Sequence, residues 1–267
     1  MTLLDTGGSM SSFKPVAALS RGLAILRLLN EENEATVGTL HTRSGLDKAT
    51  IVRMLETLEL DGYVTHSETG HLWRPTGLTL TLSGGYSAVR EMGRLVSPVM
   101  AASREILKWP ASFAIFDRDA MIVADMTHDL RGMMVSRHPS HRPPMLTTSL
   151  GRAYLAFMEK DDREALLERL RLNPAGWNRI MLEPGHVENL VADIRKKGYA
   201  LGDAQYITAT FGGDIWAIGV PVMGKNRLYG ALGLMVLRRV IGPEEGVADL
   251  APRLLDVAPR FAEALGG

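Results

Sequence analysis

The chain has 267 residues, 46% of them hydrophobic and 22% charged, with 30 Lys and Arg against 30 Asp and Glu and no cysteine. That length exceeds one small nucleic-acid-binding module and leaves room for a second domain with its own core. Without cysteine there are no disulfides, thiolate nucleophiles, thiol redox sensors or Cys-based zinc fingers, and a net charge of zero excludes a global basic field that would steer the protein to nucleic acid.

The first residues, MTLLDTGGSMSS, have no basic start and no long apolar run. Residues 1–13 therefore read as a disordered tail, not a secretion signal, and a cytoplasmic location is the simplest reading. A first helix is expected over Ser20–Asn30, with Leu19, Leu23, Leu26 and Leu29 or Asn30 as its inner stripe. Residues 36–75 then read as helix, tight turn, helix and hairpin, the order of a winged helix-turn-helix. Thr36 is a suitable N-cap for a helix over Val37–Arg43. Gly45 suits a turn that needs positive φ. The second helix runs from Lys48 to about Asp61 and lines Ile51, Leu55 and Leu58 along one face. Tyr63–Thr65 and His71–Trp73 read as wing strands around a turn at 67–70, and Pro75 closes the domain.

On that second helix Lys48, Ala49, Thr50, Val52 and Arg53 are left facing outward near its start, where a helix enters a major groove. Arg53 has the bidentate geometry for guanine, Lys48 and Thr50 suit phosphate, and Val52 suits a thymine methyl. Thr39, Thr42 and Arg43 fall where backbone contacts are made, with Arg21 and Arg74 as weaker candidates and His66, Ser67 and Thr69 along the wing. The bland alternative is a solvated helix face. Residues 14–75 carry Lys14, Arg21, Arg27, Arg43, Lys48, Arg53 and Arg74 against eight acidic residues. One such module should bind DNA weakly alone, so a symmetric pair is expected.

Residues 76–107 read as a linker helix, assigned to 76–90, and then a longer helix, with Gly84-Gly85 and Pro98 as the breaks between them. From 91 to 267 the pattern is that of an α+β domain. ASFAIFD and MIVADMT form a hairpin, GMMVSR is a third strand, and a proline-rich loop follows. Helices are expected over Gly151–Met158, Asp162–Leu172 and Val187–Lys197. Ile215–Met223 and Leu228–Leu237 are strands joined by a tight turn. Pro252 and Pro259 should kink or split the last helical segment. The Leu228–Leu237 run is too short for a bilayer span, which needs about 20 residues.

Two sites in this half stand out. Thr147, Thr148 and Ser149 precede Gly151 at a helix N-terminus, where free N–H groups and the dipole favour an anion. Simple N-capping by Ser149 explains the same residues without a ligand. Strand alternation puts Ile215, Ala217 and Gly219 on one face and Trp216 and Ile218 on the other. Small residues at Ala217, Gly219 and Gly233 leave either room for a ring or close packing against a helix. Arg137 suits either a carboxylate or the surface. His128, His138 and His141 lack metal-ligand spacing, so neither a metal nor any other cofactor is expected. Enzyme motifs such as G-x-S-x-G, H-E-x-x-H, the P-loop and the Rossmann glycines are absent.

In order along the chain, LSRGLAILRLL, SGLDKATIVRMLETLELDGYV, TGHLWRP, TTSLGRAYLAF, IRKKGYA, WAIGVPV and YGALGLMV resemble the IclR family of bacterial transcription regulators over nearly the whole sequence. The tract from WPASFAIFD to GRAYLAF is most similar to the branch that regulates aromatic-acid catabolism, such as the hydroxyphenylpropionate-catabolism activator. The resemblance implies a DNA-binding regulator that is not an enzyme. It implies dimerisation through the winged helices, often with pairing into tetramers, on a palindromic operator. It also implies a GAF-like C-terminal domain with an antiparallel sheet that binds a small organic acid. By that likeness Ser149 and Leu150 meet the carboxylate, and Val135, Ile215, Ala217, Gly219, Gly233 and Met235 face the effector. The alternative class is an enzyme acting on a small carboxylate with an appended DNA-binding domain. The chain departs from the family pattern at Ala49, where Ser or Thr is usual, at Val52, and in YITATFGGD, which replaces an acidic stretch.

Overall fold

The computed structural model describes residues 14–67, 71–84, 87–127, 142–172, 177–178 and 185–267. The chain divides into two compact units, residues 1–86 and 87–267.

Unit 1 packs helices α1 (Ala17–Glu32), α2 (Val37–Ser44) and α3 (Lys48–Leu60) with a two-stranded wing, β1 (Val64–His66) and β2 (Trp73–Pro75). Three of these helix ends have a clear chemical cause. Thr36 caps α2 by accepting the Thr39 N–H at 3.1 Å, and Gly45 at φ 70° ends it. Asp47 caps α3 by accepting the Thr50 N–H at 2.8 Å. Its core is Ile25, Leu26, Leu29, Leu40, Ile51, Leu55, Val64 and Trp73. Two expectations shift here. Leu19 and Leu23 are exposed, and Ile25 takes their place in the core. The α1 residues that reach the core come from its C-terminal half, so Val16, Leu19 and Leu23, at i, i+3 and i+7, form an outward stripe. The wing strands begin one and two residues later than the pattern implied. The Tyr63 N–H still bonds the Leu58 carbonyl at the end of α3, and Trp73 pairs both His66 and Ala35.

The expected linker helix over 76–90 is not one helix. A 3-10 helix spans Gly77–Ser83, and α4 (Ser87–Ala102) crosses the expected boundary at residue 90 with Pro98 inside it. A short α5 (Arg104–Leu107) leads to β3 (Ala111–Asp117) and β4 (Ala120–Met126). Helices α6 (Ser149–Phe157), α7 (Lys160–Leu172) and α8 (His186–Lys197) follow. Then come β5 (Ala200–Leu201), α9 (Ala204–Phe211), β6 (Ile215–Met223), β7 (Leu228–Leu237) and α10 (Pro243–Ala264).

Among the described residues the sheet of unit 2 has the order β4-β3-β7-β6-β5, every pair antiparallel. Val96 and Met100 from α4 and Leu250, Leu254, Val257 and Phe261 from α10 pack on one face with Phe113, Trp216, Ile218, Leu232 and Leu234. Helices α6, α7 and α8 pack with Ala114, Met121 and Ala231. Pro252 and Pro259 do not split α10. An interior proline costs about 3 kcal/mol, but each buried Leu, Val or Phe on the α10 stripe contributes roughly 1.5–3 kcal/mol, so packing wins. Helix α9 was not foreseen, although Asp203 at its N-cap and Gly212 at φ 74° after it are ordinary start and stop signals. GMMVSR, expected as a strand, lies outside the described residues. No helix among the described residues is long and apolar enough to cross a membrane.

Candidate nucleic-acid interface and ligand pocket

The start of α3 carries the candidate reading surface. Lys48, Ala49 and Arg53 are exposed, while Thr50 and Val52 are half-buried. The Thr50 hydroxyl donates to Asp47 Oδ2 at 2.7 Å, so it supports the cap and is not simply turned to solvent. That bond and the Thr50 N–H hold the Asp47 carboxyl below the usual carboxylate range, with a smaller contribution from Arg21. Arg43 forks onto Glu31 at 3.2 Å and onto Glu32 at closer range. The acidic residues before α2 thus engage the cation expected to meet phosphate. Thr39 and Thr42 are exposed, but their hydroxyls also serve the helix, Thr39 against Thr36 Oγ1 and Thr42 donating to the Gly38 carbonyl. Arg74 is exposed opposite Thr65. His66 pairs with Glu59 and lies 5.3 Å from the Trp73 ring. Ser67 bonds across the wing, its N–H donating to the Leu72 carbonyl at 2.8 Å, and Thr69 lies outside the described residues.

In unit 2 a hollow opens between the N-terminus of α6, helix α9 and the β6–β7 face. About 60 Å³ of it admits the centre of a water-sized sphere, room for more than one water, and part of it is open to solvent. Ser149, Leu150, Ile215, Ala217, Gly233 and Met235, all singled out from the sequence, line it together. Thr148, from the same run of hydroxyl residues, joins them, and the structure adds Ser112, Val123, Pro143, Gly202, Tyr206, Ile207, Phe211 and Leu234. Tyr206 stands edge-on to Trp177 and Phe211, with centroids 5.5 and 6.3 Å away. Burial pushes the Tyr206 phenol up, so it stays protonated near neutral pH.

The anion end differs in detail from the sequence reading. Thr148, not Ser149, caps α6, accepting the Gly151 N–H at 3.0 Å. Ser149 is the first helical residue. Helix geometry leaves the N–H groups of Ser149 and Leu150 without intrahelical acceptors, and both residues line the hollow. Three expected residues sit behind the wall. Thr147 is buried with its hydroxyl unpartnered. Gly151 is needed for contact, since a Cβ there would lie 2.5 Å from Met145 and Pro144 backbone. Gly219 lets α6 approach, because a Cβ would lie 2.9 Å from the Ser149 carbonyl. Val135, Arg137, His128, His138 and His141 lie outside the described residues. Among the described residues no three acidic or histidine side chains gather as metal ligands do.

A three-helix unit with a wing and with cations exposed at the start of α3, together with a sheet domain that holds a partly open apolar pocket, defines a DNA-binding regulator with a small-molecule domain. Residues 18–68 match the IclR helix-turn-helix domain and residues 90–261 the bacterial transcriptional regulator IclR C-terminal domain, and the chain belongs to the IclR family. It is 26% identical over 195 residues to the transcriptional repressor IclR of Escherichia coli, covering 72% of this chain and 70% of that one. An IclR family regulator from Brucella abortus superposes with a TM-score of 0.65 at 25% identity, over 98% of this chain and 97% of the other. An IclR homolog from Microbacterium hydrocarbonoxydans, solved with 4-hydroxybenzoate, superposes at 0.61 and 17% identity, over 93% and 98%. The chain is a DNA-binding transcriptional regulator.

Proposed function

We propose that the protein acts in the cytoplasm as a homodimer, or a tetramer of paired dimers, on a palindromic operator, and that a small organic acid in the unit 2 hollow controls it. The effector class that fits is an aromatic monocarboxylate. The observation that carries this reading is the hollow itself, apolar along Tyr206, Phe211, Ile215 and Met235 and ending at the N-terminus of α6. The carboxylate is assigned to the Ser149 and Leu150 N–H groups and the ring to the space beside Ala217, since Leu150 already packs over Gly233. The 4-hydroxybenzoate complex of the Microbacterium homologue supports the same class. Lys48 and Arg53 are proposed to contact the operator, and the exposed stripe of Val16, Leu19 and Leu23 is assigned to the dimer contact. The role is regulatory rather than catalytic.

The test is a thermal-shift screen against aliphatic and aromatic acids, repeated on Ala217→Phe, which fills the hollow. Aromatic acids should raise the melting temperature of the wild type and not of the variant. A shift of equal size in both would remove the hollow from the reading. Turnover of the acid by the purified protein would instead favour an enzyme.

A further inference from the structure

Arg152, on α6, is a buried cation that neither reading above uses; its side chain is 9% exposed. Its Nε donates to the Leu146 carbonyl at 2.7 Å and its Nη1 to the Leu201 carbonyl at 3.0 Å. Its Nη2 meets Asp203 Oδ2 at 3.1 Å. Asp203 is itself committed elsewhere. Its Oδ1 caps α9 by accepting the Tyr206 N–H at 3.0 Å, and its own N–H donates to the Thr147 carbonyl at 2.8 Å. One guanidinium thus ties the turn before α6 to the end of β5 and to the first turn of α9. Those three segments supply Thr148, Gly202, Tyr206 and Ile207 to the hollow, and the far end of α9 adds Phe211.

Helix α9 needs such a tie. It has eight residues, too few for an isolated helix to persist, and buries only Tyr206 and Ile207. Gly202 precedes it, and Gly212 and Gly213 follow at φ 74° and 83°, so no side chain at either end anchors it. Burial pulls the Arg152 pKa down and Asp203 partly offsets it. A cation kept in so enclosed a place requires its partner.

We infer that Arg152 is a positioning residue for the pocket. Through Asp203 it fixes α9, and with it Tyr206 and Phe211, against the N-terminus of α6. Ligand affinity then depends on a side chain that does not itself line the hollow. This rests on the hollow being the effector site.

The test compares amide hydrogen exchange, and 4-hydroxybenzoate binding by calorimetry, in the full-length wild type, Asp203→Asn, Arg152→Lys and the double variant Arg152→Met/Asp203→Asn. Asn keeps the helix cap but removes the charge. The double variant removes both charges, so an unpaired buried cation does not confound the result. Exchange across 204–211 should quicken about tenfold in Asp203→Asn, the scale of one lost charge-assisted hydrogen bond. Exchange in 149–157 should not change. The double variant should regain thermal stability yet keep α9 fast, and Arg152→Lys should recover part of the protection. The dissociation constant should rise in step with α9 exchange. Exchange that quickens evenly across unit 2, or α9 protection restored in the double variant, overturns the inference in favour of a general stabilising pair. A wild type that ignores the acid counts against the ligand reading, while the exchange data still decide the brace.

Discussion

Arg53 is exposed in the second turn of α3, and a bidentate contact to guanine is worth roughly 1–3 kcal/mol of discrimination. Arg53→Ala should therefore lower the ratio of operator to scrambled-duplex affinity by about tenfold or more, whereas Lys48→Ala should weaken both alike and flatten the salt dependence. Fluorescence anisotropy against the two duplexes at several salt concentrations checks both. Asp47 offers a second test. Its native carboxyl titrates below its ordinary range. The stability it adds is present above that range and is lost as pH falls through the lower native value. Asp47→Asn should keep the cap and show a shallower loss of melting temperature on acidification. The sequence displayed these residues but not their engagements. The forks of Arg43 onto Glu31 and Glu32 join residues 12 and 11 positions apart, and no local pattern reports such a pairing.

At the scale of elements, glycines decide where α6 sits. Gly151 meets the 144–145 backbone and Gly219 meets the Ser149 carbonyl. Gly151→Ala should cost about 1–3 kcal/mol as overpacking and displace the anion end of the hollow. Chemical denaturation would report the stability and calorimetry the affinity. On the opposite sheet face Gly246 lies against the Trp216 ring, with a built Cβ only 2.4 Å from it, so Gly246→Val should destabilise without touching the pocket. The helix-turn-helix and the strand alternation of β6 were legible because periodicity and capping are local. That alternation put Ile215 and Ala217 opposite Trp216 and Ile218, and the burial agrees. Helix α9 was missed because Tyr206, Ile207 and Phe211 read as part of an irregular substitution for an acidic stretch. The pocket's aromatic side was lost with it. The inner stripe of α1 was misplaced because an apolar face looks the same whether it meets the core or a partner.

For the whole molecule, two units with separate cores and opposite chemistry, one exposing cations at a helix start and one enclosing an apolar hollow, fit a device that converts acid binding into a change at DNA. Its range is set by the acid's differential affinity for the two states of the protein. If the stripe of Val16, Leu19 and Leu23 forms the dimer contact, Leu19→Glu with Leu23→Glu should yield monomers in sedimentation. Such monomers should bind the operator far more weakly, since each half-site contact is then lost with its neighbour. The most direct test is a footprint of the purified chain over the DNA flanking its own coding region, at low salt, with and without aromatic acids. A protected two-fold symmetric stretch whose protection changes with the acid in wild type, and not in Ala217→Phe, is the expected result. Uniform absence of protection under all of these conditions would contradict it.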